Sequence, residues 1–180
     1  FQDRTSFAIF EDKLNYRLFG GDLCEVDNFN KISQDLGYQG ASIGDLEEKF
    51  GKNNPDVKFR KGFYSLVELE HFEFINEINE KCGSDFLTVL FFYSNRNVDL
   101  DRSERVGRLL DFIRGKNDNL VVYSFDMNLD ADIINNLKES YNVEESPTLI
   151  INNGKKISGN IQLKDIQDSL GEIESKIVNL

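Results

Sequence analysis

Three sets of residues in this chain carry side chains that could do chemistry: Cys24 and Cys82, the single histidine His71, and the alternating run Asp126, Asn128, Asp130, Asp132. The two cysteines are too far apart for a CxxC redox motif, and one histidine cannot complete a zinc site with them. Two readings stand for the pair: inert buried thiols, or a structural disulfide in an oxidising compartment. Both cysteines sit next to predicted helix ends. A bridge closing so long a loop would contribute roughly 4 kcal/mol through chain entropy. Thiol–disulfide exchange through Cys24 and Cys82 is a further option, and it requires one of them to be exposed with a depressed pKa. His71, with Glu68 and Glu70 nearby, invites a metal or acid–base role, but a lone helical histidine is ordinarily a surface or boundary residue. The acidic run alternates like some calcium loops and lacks their sixth-position glycine and terminal glutamate, so it reads as capping for the helix that follows. No glycine-rich phosphate loop and no credible Ser-His-Asp set occurs. The chain is therefore read as a non-enzyme with no cofactor and no metal.

Composition narrows the partners. Among 180 residues the formal net charge is −11, with no block of Lys and Arg to offset it, which repels nucleic acid. The longest apolar run, FLTVLFFY, has the length of a buried strand and not of a membrane span. A membrane is expected only through a segment preceding Phe1.

The elements that must position these residues fall into two textures. Residues 1–83 contain no strand pattern and read as a helical module. Phe7, Phe10, Leu14 and Leu18 place an apolar stripe on an amphipathic helix over about 4–19 that Gly20-Gly21 stops. Phe29, Ile32 and Leu36 predict a helix over 27–37, with Asp27 as N-cap and Gly37 as terminator. Ile43, Leu46 and Phe50 predict another over 41–50. From Pro55 a long run with Phe59, Phe63, Leu66, Val67, Phe74, Ile78 and Cys82 predicts one helix over 55–82, ended by Gly83. The earlier helices fold back on it as a hairpin or small bundle.

Residues 84–180 alternate differently. FLTVLFFYS is a continuous apolar run rich in β-formers, as a central strand would be. Val106, Leu109, Leu110 and Ile113 have helical spacing. LVVYSF is a second strand, and Ile133, Ile134, Leu137 and Tyr141 a second helix. TLIIN and KKISG form a hairpin about Asn153-Gly154, and Ile161 to Ile177 close the chain as a helix. The order β-α-β-α-β-β-α implies an α/β domain with a central mixed sheet and helices on both faces.

That order, with a proline opening the third strand in VEESPTLIINNGK, resembles the thioredoxin-like superfamily over about residues 84–180. The resemblance implies that Pro147, between Ser146 and Thr148, is the cis-proline beside a groove for extended polypeptide. It also implies that FLTVLFFYS leads into the active-site loop, where the two cysteine positions fall on Asn97 and Leu100, with Val98 and Asp99 between them. Neither carries sulfur, and Phe91 stands where the family has a buried acid. Dithiol exchange needs a low-pKa thiolate and a second thiol three residues on, so the loop Asn97-Val98-Asp99-Leu100 is degenerate. A helical segment before such a domain is also similar to uncharacterised membrane-anchored proteins of small-genome archaea, which implies an extracytoplasmic location, with a cytoplasmic one as the alternative.

The expected function is a redox-inactive module that binds an extended polypeptide or protein partner through the loop and the Pro147 groove. Two alternatives stay open: a thiol–disulfide oxidoreductase using Cys24 and Cys82, and an acidic calcium-binding protein of thioredoxin fold.

Overall fold

The computed structural model describes the backbone of residues 2–20, 23–25 and 29–178, and side chains within 7–20, 23–24 and 36–172. The chain divides into two compact units, Phe1–Asp85 and Phe86–Leu180. Asp27, read as an N-cap, lies outside the described residues.

The first unit consists of α1 (Gln2–Phe19), a single 3-10 turn (Leu23–Glu25), α2 (Phe29–Phe50) and α3 (Pro55–Cys82). α3 starts where the sequence places it. Asn54 is extended, its side chain accepts from the N–H groups of Asp56 and Val57, and Pro55 occupies the first turn. Gly83 ends the helix at φ 64°, a left-handed conformation that only glycine adopts without strain.

The two short helices expected over 27–37 and 41–50 are one continuous helix, α2, because Gly37 does not terminate it. Glycine here serves packing instead. A Cβ at Gly40 would sit 2.9 Å from the Tyr64 hydroxyl, which donates to the Leu36 carbonyl at 2.9 Å. The missing side chain lets α2 and α3 approach closely, and that tertiary contact outweighs glycine's weak helix propensity.

The apolar stripe of α1 also departs from expectation. Phe7, Phe10, Leu14 and Leu18 are exposed, while Ile9 and Lys13 are buried. Ion pairs set this rotation: Lys13 Nζ lies 2.8 Å from Glu70 and 2.6 Å from Glu73, both on α3. Burial of Lys13 disfavours its charge, but the two carboxylates outweigh that and hold its pKa above the ordinary lysine value. Ile9 packs with Leu36 and Val67, one residue from each helix.

α3 is the central element, and its buried residues occupy more than one stripe. Val67, Phe74 and Ile78 are buried as the periodicity implies, whereas Phe59 is 75% exposed. Lys61, Ser65, Glu68 and His71 are buried on the same helix. Lys61 pairs with Glu47 of α2, and the Ser65 hydroxyl donates to the Lys61 carbonyl. His71 is not the surface or boundary residue expected: it is fully buried, and burial pushes its pKa down to about 4.

Cys24 and Cys82 form a disulfide, with Cα atoms 5.6 Å apart, tying the 3-10 turn to the last residue of α3. Of the two readings left open by the sequence, the bridge is the one realised.

The second unit has β1 (Leu87–Tyr93), α4 (Leu100–Arg114), β2 (Leu120–Asp126), α5 (Asp132–Ser140), β3 (Thr148–Ile151), β4 (Lys155–Ser158) and α6 (Leu163–Val178). The sheet order is β2-β1-β3-β4, with β1 parallel to β2 and antiparallel to β3. The result is a mixed four-stranded α/β sheet in the β-α-β-α-β-β-α order expected from the sequence. Leu87, Val89, Phe91, Leu149 and Ile151 put one sheet face against Val106, Leu110 and Ile113 of α4 and Ile166 and Leu170 of α6. Leu90, Phe92, Tyr123, Phe125 and Ile150 alternate with the buried residues of that face and are buried too, which explains the unbroken apolar run in the sequence. In the β3–β4 hairpin the left-handed residues are Asn152 and Asn153, and Gly154 closes the turn by donating to the Ile151 carbonyl.

The buried histidine gives stability a pH dependence. Folded His71 titrates near 4 and the unfolded residue near 6.5, so between these values the unfolded state binds the extra proton and stability falls as pH is lowered. Denaturant titrations should show a loss of about 3 kcal/mol across that window, and none from this group above it. Glu73, held below the ordinary carboxylate range chiefly by its hydrogen bond to Lys13, destabilises only at more acid pH. His71→Gln should remove one proton from the slope between pH 5 and 6.5; an unchanged slope would contradict the assignment.

Candidate functional site

The candidate site lies where β1 ends and the chain turns into α4. β1 is held centrally by ladders to β2 and β3, so its last residues leave the sheet at a fixed point. Ser94, the next residue, is fully buried. Its N–H donates to the Ser103 hydroxyl at 3.1 Å, and its own hydroxyl donates to Asn128 Oδ1 at 2.6 Å and accepts from the Arg96 N–H at 3.2 Å. Ser103, one turn into α4, shares a hydrogen bond with the Ser146 hydroxyl at 3.0 Å. The Ser94 backbone and the Ser103 and Ser146 hydroxyls are thus joined in one chain of hydrogen bonds.

Asp99 stands immediately before α4. Its carbonyl accepts from the Ser103 N–H, as an N-cap residue's does, but its carboxylate makes no capping bond. One oxygen accepts from Arg96 at 3.1 and 3.2 Å and the other from Arg102 at 3.1 Å. Burial works against the carboxylate, but the Ser94 hydroxyl, the Arg96 hydrogen bond and the charges of Arg96 and Arg102 outweigh it. The carboxyl is held below its ordinary range.

The four positions Asn97 to Leu100 are therefore not alike. Asn97 is exposed, Val98 is 77% exposed, Asp99 is buried and Leu100, the first residue of α4, is half-buried. Phe91 belongs to the apolar core, where its ring lies 5.8 Å from that of Tyr93.

The Ser146–Pro147 peptide bond is cis. Ser146, Pro147 and Thr148 are all buried. The Pro147 carbonyl accepts from the Gly159 N–H at 3.0 Å, and the Thr148 hydroxyl donates to the Glu145 carbonyl and meets the Ser158 hydroxyl at 2.8 Å. The side chains expected to line a groove are turned to internal bonds. The exposed part of the site is the crest of the loop.

The acidic run places Asp132 in the first turn of α5, where the helix N-terminus favours negative charge, but the N-cap residue is Ala131 and no side-chain capping bond forms there. Asp126 accepts from the Asn128 N–H at 2.9 Å and from Asn95 Nδ2 at 3.3 Å, closing its own turn and tying it to the loop. Among the described residues no three carboxylate, histidine or cysteine side chains converge as a metal site. Sequence reasoning did not find Ser94, Ser103, Asn128 or Arg102 as members of the site. The only signal available was their polar character in or beside apolar elements.

No family model matches the sequence, and no curated protein matches it. A solved structure that it is similar to is thioredoxin O2 from Arabidopsis thaliana in the oxidised state. The identity is 16%, the TM-score 0.44, and the match covers 58% of this chain and 87% of that one.

The Ser103–Ser146 bond supplies a double-mutant cycle. Ser103→Ala and Ser146→Ala should each destabilise the protein by about 1–3 kcal/mol, because each leaves a buried partner unsatisfied. Together they should cost less than the sum by about 1 kcal/mol, as residues in contact do. Additive effects in urea titrations would show that the two hydroxyls are not coupled.

Proposed function

We propose that this chain is a redox-inactive thioredoxin-like module that binds a protein or an extended polypeptide. The observation that carries the reading is Val98, an apolar side chain 77% exposed on a loop in which Ser94, Arg96 and Asp99 are held by hydrogen bonds. Such a loop offers apolar contact to a partner at little ordering cost, because Ser94, Arg96, Asp99 and Arg102 already fix its shape. The stretch Arg96–Val98 makes the contact, and the backbone beside Pro147 is the floor against which an extended strand is aligned. The disulfide supports an extracytoplasmic setting, since such bonds persist in oxidising compartments.

The reading separates chemistry from binding. The wild-type protein should not accelerate insulin reduction by dithiothreitol, and it should bind a reduced, carboxymethylated polypeptide saturably, with Val98→Asp weakening binding about tenfold. In Asn97→Cys/Leu100→Cys, two thiols spaced i, i+3 at the start of α4 should gain insulin-reducing activity, since a helix N-terminus favours a thiolate. Insulin reduction by the wild type would refute the first half of the reading, and unaltered binding by Val98→Asp the second.

A second reading is favoured by one feature: Cys24 of the disulfide is exposed. If the pair exchanges with cellular thiols, equilibration against glutathione should give a potential in the oxidoreductase range of about −120 to −270 mV. The structural role favoured here requires a value below about −300 mV.

A further inference from the structure

We propose that the turn joining α2 to α3 is a docking tip for an anionic lipid surface. α2 and α3 run antiparallel, paired through Tyr64 to Leu36 and Lys61 to Glu47, so residues 51–54 form one end of the helical unit. The tip is firmly built. Gly51, at φ 85°, donates to the Glu47 carbonyl, the Asn54 N–H bonds back to the Gly51 carbonyl, and the Asn54 side chain caps α3. Immediately behind it the apolar core begins at Val57, which is 3% exposed.

Two phenylalanines flank this turn with their rings in solvent, Phe50 54% and Phe59 75% exposed. The exposed cations Lys49, Lys52, Lys58 and Arg60 lie on the turn and the helix ends beside it, against the exposed carboxylates Asp45, Glu48 and Asp56. Lys49 Nζ stands 5.3 Å from the Phe50 ring centroid. A cationic excess at one tip of a chain whose net charge is −11 is a local reversal of sign. Screening limits its reach to about 10 Å, so a surface touched by the tip meets these cations before the acidic remainder.

Cations beside exposed aromatic rings match the boundary of an anionic bilayer, where ammonium and guanidinium groups meet the headgroups and rings enter the acyl border. Nucleic acid fits less well. Four cations interrupted by three carboxylates make no track along a phosphate backbone.

The test is flotation of the full chain with phosphatidylcholine vesicles, with and without phosphatidylglycerol, at low and high salt. Partitioning should require phosphatidylglycerol and weaken with salt. Phe50→Ser/Phe59→Ser should reduce it about tenfold, and Lys49→Gln/Lys58→Gln/Arg60→Gln about a hundredfold, on the scale of fivefold per surface cation. Phe112→Ser, which removes an exposed phenylalanine of the other unit, should leave it unchanged. Far-UV circular dichroism of each variant should match the wild type, as expected for exposed positions. No partitioning by the wild type, equal partitioning to phosphatidylcholine alone, displacement by a single-stranded oligonucleotide, or tip variants that partition like the wild type would each overturn the proposal.

Discussion

A hydroxyl taken out of water must find a partner inside the protein, and three serines in the second unit meet that constraint through one another's neighbourhoods. Ser94 leaves the central strand, Ser103 sits one turn into α4, and Ser146 precedes the cis peptide. Because each is nearly inaccessible, none can exchange its partner for water without the loop moving. The loop's shape is consequently set by hydrogen bonds, and Asp99, clamped by two arginines, extends the same logic to its crest. Dithiol exchange asks for the opposite: a sulfur that can be reached, attacked and released.

The helical unit solves a related problem with charge. Lys13 and Lys61 are almost wholly buried, and each reaches a carboxylate on a neighbouring helix. Removing the carboxylates would strand a lysine in a poorly solvating interior, so these pairs fix helix rotation and register more than they add net stability. The outward turn of the α1 stripe follows from this. Rotating Phe7, Phe10 and Leu14 inward would carry Lys13 away from Glu70 and Glu73. Apolar burial is non-directional and can be partly satisfied in several rotations, whereas an ion pair is satisfied in one.

This difference also explains what could be read from the amino-acid sequence. Element types, the long α3 and its caps, the unbroken apolar β1 and the β-α-β-α-β-β-α order were legible, because periodicity, Pro55, Gly83 and the Asn-rich hairpin turn are local signals. The continuity of α2 was not, since Gly37 and Gly40 look the same in sequence whether they end a helix or admit Tyr64 from another. The burial of His71 was hidden for a similar reason: its position on α3 is clear, but which sides of that helix are covered depends on two other helices. The hydroxyl chain, built from residues up to 52 positions apart in sequence between Ser94 and Ser146, left no local trace.

The carboxylate before α4 and the two arginines beside it are physically coupled. A thiol at the start of α4 would draw its reactivity from the helix N-terminus and from nearby cations, which lower its pKa. Here Arg96 and Arg102 are paired with Asp99, which sits where the helix dipole favours negative charge. Asp99 does electrostatically what a thiolate would do, with a permanent charge instead of a switchable one. With the carboxylate in place, the cations are neutralised, the loop needs no proton or electron to hold its conformation, and the exposed Val98 is left as the part of the loop most available to another molecule.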